Sequence, residues 1–333
     1  MDESSTNGKR TLAIISNSGR ACYQECAKKY EYEHILRRLP VRTAMPLMFG
    51  SVFHAGTEAI NMGKPWQAAV DAAALETGLD SIYDQAKVEA MLTCYEARYA
   101  DDASLEFIEV EKRIDAPVVN PETNAPSRTW SFAGRSDALV YLMERRAAEL
   151  RKKKHVFETK TTSSDISPGS EWWQNQFMQP QGQLYVAGLR RGSMLHADIV
   201  GIVYDAVRKP DMKPRRATPV EKRKYKKDGT LYANVRLEDE SVNQYKARLI
   251  EAIMQDPDKY FQRQIVKVGD TSDAEFNLWN VAKNISASKR TGIFPKNSGA
   301  CFKWNRACSY FGVCTGNAGI GDNSLFRDGK PRY

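Results

Sequence analysis

Glu158 and Lys160, in the run Phe157-Glu158-Thr159-Lys160, are the residues whose types and spacing most directly suit chemistry. In a strand, residues two apart project from the same side. The carboxylate and the ammonium would therefore share one site. Such a pair suits phosphodiester hydrolysis. The carboxylate holds a divalent metal that polarises the phosphate and activates water, while the lysine orients the nucleophile or neutralises developing charge. Taken alone, Glu-x-Lys is common and is usually a surface ion pair. Its neighbourhood changes that reading. Gly134-Arg135-Ser136-Asp137 lies about twenty residues upstream. On an adjacent antiparallel strand, Asp137 stands beside Glu158 as a second hard-metal ligand. The glycine permits a bend or a close backbone approach just before the acid. Gly50-Ser51-Val52-Phe53-His54 is followed by Glu58 one helical turn later, so His54 and Glu58 share a helix face. Gln181 and Tyr185 are spaced i, i+4, again on one face, where they can position a metal-bound water or a phosphate.

The six cysteines form a second constellation. Cys22 and Cys26 lie near the start and Cys94 is isolated. Cys301, Cys308 and Cys314 cluster near the end with the spacing C-x6-C-x5-C. In a reducing compartment such thiols are not expected to pair as disulfides. A soft metal or iron–sulfur site needs about four such ligands. The C-terminal cluster supplies three, and either Cys26 or Cys22 is a candidate for the fourth. Trp304, Tyr310, Phe311 and Gly312 fit a compact, shielded loop around them. Three buried core thiols are the structural alternative.

These residues need elements to position them. Ser16 or Ser18 caps a helix running through Tyr23, Tyr30 and Ile35, with Pro40 marking its end. A second helix starts near Pro46 and carries Val52, Phe53, His54 and Ile60. Pro65 opens an alanine-rich third helix, and a fourth runs from about Tyr83 to Tyr99. Strands follow over Leu105 to Ile114, Trp130 to Leu142 and His155 to Thr161. Glu171 to Leu189 reads as a helix that Pro180 divides or kinks. Ala197 to Val207 reads as a strand, and Ser241 to Met254 and Ser272 to Ser286 read as helices. The order is helices, mixed strands, then helices again, which predicts one α/β core with helical decoration and a C-terminal cysteine loop.

The chain has 333 residues of ordinary globular composition, 42% hydrophobic and 27% charged. This excludes wholesale disorder and a small disulfide scaffold. No apolar run approaches a membrane span, and the polar start from Met1 to Arg10 lacks a signal-peptide core, so the expected location is cytoplasmic. The net charge is +8. Between Arg208 and Asp228, ten basic residues face three acids, a local net of +7 that nearly equals the total. Arg145 to Lys154 is a second basic run. Such segments attract polyanions in a salt-dependent way, though a solvated lysine loop shows the same composition. Trp172, Trp173 and Tyr225 are candidates for stacking on bases; the two tryptophans suit core packing equally well.

The ordered set Gly50 to His54, Gly134-Arg135-Ser136-Asp137, Glu158-Thr159-Lys160 and Gln181 to Tyr185 resembles the RecB-type branch of the PD-(D/E)XK nucleases. The flanking cysteines resemble its iron–sulfur subgroup, which includes the AddB nuclease domain and CRISPR-associated RecB-type exonucleases. Ser16, Ser18 and Cys26-Ala27-Lys28-Lys29-Tyr30 are similar to that group's N-terminal cysteine helix. The resemblance implies a restriction-endonuclease-like central mixed sheet flanked by helices over residues 14–315. It implies tails at 1–13 and 316–333, a helical insertion at about 64–102 and a basic segment at 208–228. His54, Asp137, Glu158 and the Thr159 carbonyl would bind Mg²⁺ or Mn²⁺. Lys160 would be the catalytic lysine, with Gln181 and Tyr185 supporting the site. Cys26, Cys301, Cys308 and Cys314 would hold a [4Fe–4S] cluster. Two departures stand out. Relatives carry C-x2-C-x5-C, so a cysteine would fall at Asn305, and a proline where this chain has Ala27.

The implied function is a metal-dependent DNA exonuclease. It would act on single strands or DNA ends in recombination, repair or phage DNA metabolism, in a prokaryotic or phage-infected cell, with a recombination protein as a candidate partner. Two other classes fit parts of the pattern: a non-catalytic DNA-binding scaffold of a recombination or CRISPR-type complex, and a structural zinc protein. No G-x-x-x-x-G-K-[ST] phosphate loop points to a fused helicase.

Overall fold

The computed structural model describes residues 12–41, 44–146, 149–233, 235–303 and 306–329, and their side chains except at 144–150. Trp304, Asn305 and most of the expected N-terminal tail lie outside the described residues.

The chain opens with β1 (Ala13–Ile15), α1 (Asn17–Glu25), α2 (Ala27–Tyr30) and β2 (Arg38–Pro40). Ser16 caps α1, its hydroxyl accepting the Gly19 N–H at 3.1 Å. The continuous helix expected to run on to Ile35 does not form. Cys26 is extended, with φ −162° and ψ 114°, and divides α1 from α2. A π-helical turn from Glu31 to Ile35 follows. Three helices come next: α3 (Met45–Asn61), α4 (Gln67–Thr77) and α5 (Ile82–Tyr99). The strands are longer than the sequence pattern suggests: β3 (Leu105–Val119), β4 (Pro126–Arg146) and β5 (Glu149–Thr162). Pro180 does split the next helix, giving α6 (Glu171–Phe177) and α7 (Pro180–Gly192). After β6 (Gly201–Arg208) come the basic segment, α8 (Val242–Gln255), β7 (Phe261–Lys267) and α9 (Ser272–Thr291). The chain closes with a short hairpin of β8 (Phe302–Lys303) and β9 (Arg306–Ala307), then α10 (Phe311–Cys314) and β10 (Phe326–Asp328).

The six-stranded sheet runs β1-β4-β5-β6-β7, with β3 on β4 as well. It is mixed: β5 and β6 are parallel, as are β1 and β4, and the other pairs are antiparallel. One face carries Val156, Tyr204, Ile202 and Leu139 against α7, α9 and α1. The other presents Val207 and Phe261 to α3, α4, α5 and α8. Both faces are thus covered, which is why β6 is an almost unbroken buried apolar run. Asp205 is the exception on β6. It is fully buried but accepts hydrogen bonds from Tyr95 at 2.6 Å and Arg263 at 2.7 Å, fixing α5 to the sheet.

Candidate active site

The β4–β5 ladder ends at Ala138 and Phe157. β3 holds one edge of β4 along its length, so β1, paired at Trp130 to Phe132, must share the other edge with β5. The sheet therefore forks between β1 and β5, and the predicted site residues lie at this fork. The Asp137 carboxylate takes the place of a ladder carbonyl, accepting the Thr159 N–H at 2.7 Å. His54, reaching over from α3, lies 3.4 Å from the same Asp137 oxygen. Lys160 donates to Glu158 at 2.8 Å and to Gln181 at 3.0 Å. Gln181 in turn donates to the Tyr185 hydroxyl at 3.0 Å. Asp137, Glu158, Lys160, Gln181, Tyr185 and His54 are brought together by four elements.

The site is closed at its floor and open at its mouth. The Glu158 side chain is 3% exposed, whereas Asp137 is 23% and His54 36% exposed. Burial raises the Glu158 carboxyl to about 7 despite the pull of Lys160. Burial also pushes Asp137 up, but its contacts with His54 outweigh this and leave it below the ordinary carboxylate value. His54 is lowered by burial and raised further by Asp137, with a net upward shift. Burial lowers Lys160, but Glu158 and Asp137 together hold it above its ordinary value. Glu158 Oε1 is buried without a hydrogen-bond partner, as is Thr159 Oγ1. The donor atoms of His54, Asp137 and Glu158 do not all lie within 4.8 Å of one another, Glu158 being turned towards Lys160.

Glycines make room for this arrangement. A Cβ on Gly134 would lie 2.7 Å from the Tyr185 ring, so the bare backbone of β4 lets that ring pack against it. A Cβ on Gly182 would lie 2.2 Å from Ile202 and 2.5 Å from the Tyr204 hydroxyl, which sets how closely α7 lies on β6. Tyr204 was not marked by the sequence pattern. It pairs in register with Glu158 and presents its hydroxyl beside α7, but it is hidden in the apolar run of β6. Glu58 faces Glu111, Arg135 and Asp137, and burial followed by Glu111 raises its carboxyl. Trp173 is fully buried, with its indole N–H on the Ile166 carbonyl, so of its two readings core packing is the one realised. Tyr225 is 58% exposed.

The cysteines meet at a second place. Cys26, Cys301, Cys308 and Cys314 line one pocket with Lys29, Lys296 and Tyr310. The extended geometry at Cys26 leaves it at the break between α1 and α2, onto which the C-terminal segment docks through Lys28 N–H to Pro295 O at 3.1 Å. The long C-x6-C spacing is taken up by the β8–β9 hairpin, so Cys308 N–H reaches Cys301 O at 2.7 Å. Cys22 does not line this pocket; it is buried in the core cluster that joins α1 to the sheet, α7 and α9.

The model of the PD-(D/E)XK nuclease superfamily matches residues 14–315. This chain belongs to that superfamily. The mixed sheet flanked by helices is consistent with its restriction-endonuclease-like fold. Two crystal structures are similar in outline. One is from Eubacterium rectale and is described as a candidate exonuclease: 10% identity, TM-score 0.46, covering 90% of this chain and 91% of that one. The other is SSO0001, with 11% identity, TM-score 0.35 and 93% and 89% coverage. No curated protein sequence matches the chain. Among the described residues no helix is long and apolar enough to cross a membrane.

Proposed function

We propose that this nuclease is a Mg²⁺- or Mn²⁺-dependent deoxyribonuclease that degrades DNA from its ends, and that a cysteine-bound [4Fe–4S] cluster ties its termini. The observation that carries the catalytic reading is Glu158 Oε1, buried without a partner while its twin oxygen is held by Lys160. A buried carboxylate oxygen left unpaired is costly, and a cation at that point relieves the cost. Glu158, Asp137, the Thr159 carbonyl and His54 make an oxygen-rich donor set with one imidazole, which fits Mg²⁺ or Mn²⁺.

When bound, such an ion supplies charge neutralisation at the phosphate and lowers the pKa of a water. The chain's own residues do the positioning. Glu158 and Asp137 fix the acidic floor of the fork. Lys160, aimed by Gln181, holds its ammonium where negative charge grows on the phosphate oxygens. Tyr185 braces Gln181. The basic segment leaves β6 two residues beyond the level of Lys160, where Lys209 N–H bonds to Thr162 O at 2.7 Å. Among the described residues no ion pair engages Lys222, Lys224, Lys226 or Lys227, so their charge is available to a DNA backbone. For the cluster, four cysteines in one pocket flanked by Lys29 and Lys296 suit an anionic thiolate-bound centre.

The test is cleavage of end-labelled single- and double-stranded DNA with Mg²⁺ or Mn²⁺ by anaerobically purified wild type and Lys160→Ala. Loss of label from an end by wild type, with turnover reduced by about 10²–10⁴-fold in the variant, is the expected result. An inactive wild type with its cluster intact overturns the catalytic reading for these substrates and favours a DNA-binding scaffold.

A further inference from the structure

A third group of ligating side chains lies away from the nuclease residues, beside the cysteine pocket but not lining it. Cys22 on α1 and Glu33 and His34 in the π-helical turn bring one donor atom each to within 4.8 Å of one another. Among the described residues they are the one set of three or more His, Cys, Asp or Glu donors drawn so close. Zinc bonds of about 2.0–2.3 Å place tetrahedral ligands roughly 3.3–3.8 Å apart, so little closure is needed.

Glu33 and His34 both lie in the π turn over Glu31–Ile35, and π turns are enriched at functional positions. The surroundings also hold the donors. His34 stacks on Tyr30 with ring centroids 4.7 Å apart. A Cβ on Gly19 would lie 3.5 Å from His34 Cε1, an ordinary contact distance, so the α1 backbone packs directly beside that ring. The Cys22 thiol points at Glu33, Sγ to Oε2 being 3.6 Å. Glu33 and His34 also form part of the wall of a cavity of about 320 Å³, which gives an ion a way in.

We infer that Cys22, Glu33 and His34 form a binding site for a borderline divalent cation, Zn²⁺ by the chemistry of its thiolate, imidazole and carboxylate donors. Mg²⁺ disfavours the thiolate, and a [4Fe–4S] cluster requires more sulfur than the site offers. Binding forms the zinc–sulfur bond and expels the Cys22 thiol proton to solvent, with no change of oxidation state. The ion would clamp α1 to the π turn, beside the cysteine pocket. The site does not depend on the nuclease reading.

The test is zinc and iron analysis of the full-length protein after desalting, with zinc-edge X-ray absorption on the wild type. The expected result is a single zinc per chain. It should have one sulfur neighbour at about 2.3 Å and nitrogen or oxygen neighbours at about 2.0–2.2 Å. Cys22→Ser and His34→Gln should each lose the zinc, whereas Cys301→Ser should keep it and disturb iron alone. Three results would overturn the site: no zinc retained by wild type even after incubation with Zn²⁺, a shell of four sulfurs that places the metal in the cysteine pocket, or zinc undiminished in both variants. The absorption spectrum needs only the native protein, so a variant that fails to fold does not spoil the test.

Discussion

At the scale of single residues, the site depends on an order of contacts: Gly134 admits Tyr185, Tyr185 holds Gln181, and Gln181 aims Lys160. Gly134→Ala tests that order without touching a charged group. Its new methyl would sit 2.7 Å from Tyr185 Cε1 in a ring that is already buried. Overpacking of this kind costs about 1–3 kcal/mol. The ring must shift, carrying Gln181 with it, and misplacement by about 1 Å can cost about 10²-fold in rate. Single-turnover cleavage by Gly134→Ala should fall by about 10–100-fold, with DNA affinity nearly unchanged. Wild-type turnover in a folded Gly134→Ala would show that the contact order is not used. This scale was the most legible in the sequence, because acids, lysine and amide announce themselves by type and spacing. Tyr204 and Trp173 did not. A tyrosine in an apolar strand and a tryptophan beside another look alike in one dimension whether they serve a site or a core, and their burial depends on helices far away in the chain.

At the scale of elements, the order of the central strands β3 to β6 and of the long helices is legible in the sequence, but β1, β7, strand length and the break at Cys26 are not. β3 and β4 run longer because each is the other's partner over most of its length, a tertiary fact that local propensity does not contain. The expected helix through Cys26 fails because the C-terminal segment takes up the hydrogen bonding there: Lys28 N–H goes to Pro295 O, and Asn297 donates to Glu25 O at 2.8 Å. The basic segment shows a similar dependence. It lacks a core of its own and is pinned at Arg215 by Glu240, whose side chain is 3% exposed. Glu240 accepts two hydrogen bonds from Arg248, each 2.7 Å, and one from the Arg215 N–H at 2.8 Å. Arg248, and less strongly Arg215, hold the carboxyl at about 2 against an ordinary 4.5. A depressed carboxyl contributes stability that is complete above the unfolded value and is lost as pH falls through the folded one. The wild type should therefore lose this contribution between about pH 4.5 and 2. Glu240→Ala, which strands Arg248, should be destabilised by about 3 kcal/mol at neutral pH and show less of that acid loss. Thermal melts of both proteins across pH 2–7 check this, and parallel curves would refute the assignment.

At the scale of the whole molecule, the question is what the proposed cluster adds to a chain whose ends already meet. Cys26 and Cys301 are 275 residues apart in sequence, counting from 26 to 301. In a pure loop-closure picture, cross-linking so long a loop would be worth on the order of 5 kcal/mol. That figure overstates the effect here, because other contacts close the same loop. β10 pairs with β2, Arg38 donates to Asp328 at 2.7 Å, the Tyr310 hydroxyl donates to Arg38 O at 2.7 Å, and Lys303 reaches Glu25. The ion pairs among these contacts are partly exposed and individually weak. They keep the ends near each other, but the four cysteines come from segments with little core of their own. Removing the iron should therefore loosen the ends before the sheet. The expected result on chelating iron, or in Cys308→Ala, is earlier proteolysis within about residues 16–40 and 296–329. β4, β5 and α7, which carry the proposed nuclease site, should stay protected. Hydrogen exchange resolved by segment measures this directly. Simultaneous loss of protection in β4 and β5 would mean that the cluster is part of the folding core. Unchanged protection in both end segments on removing bound iron would mean that the ends hold without it.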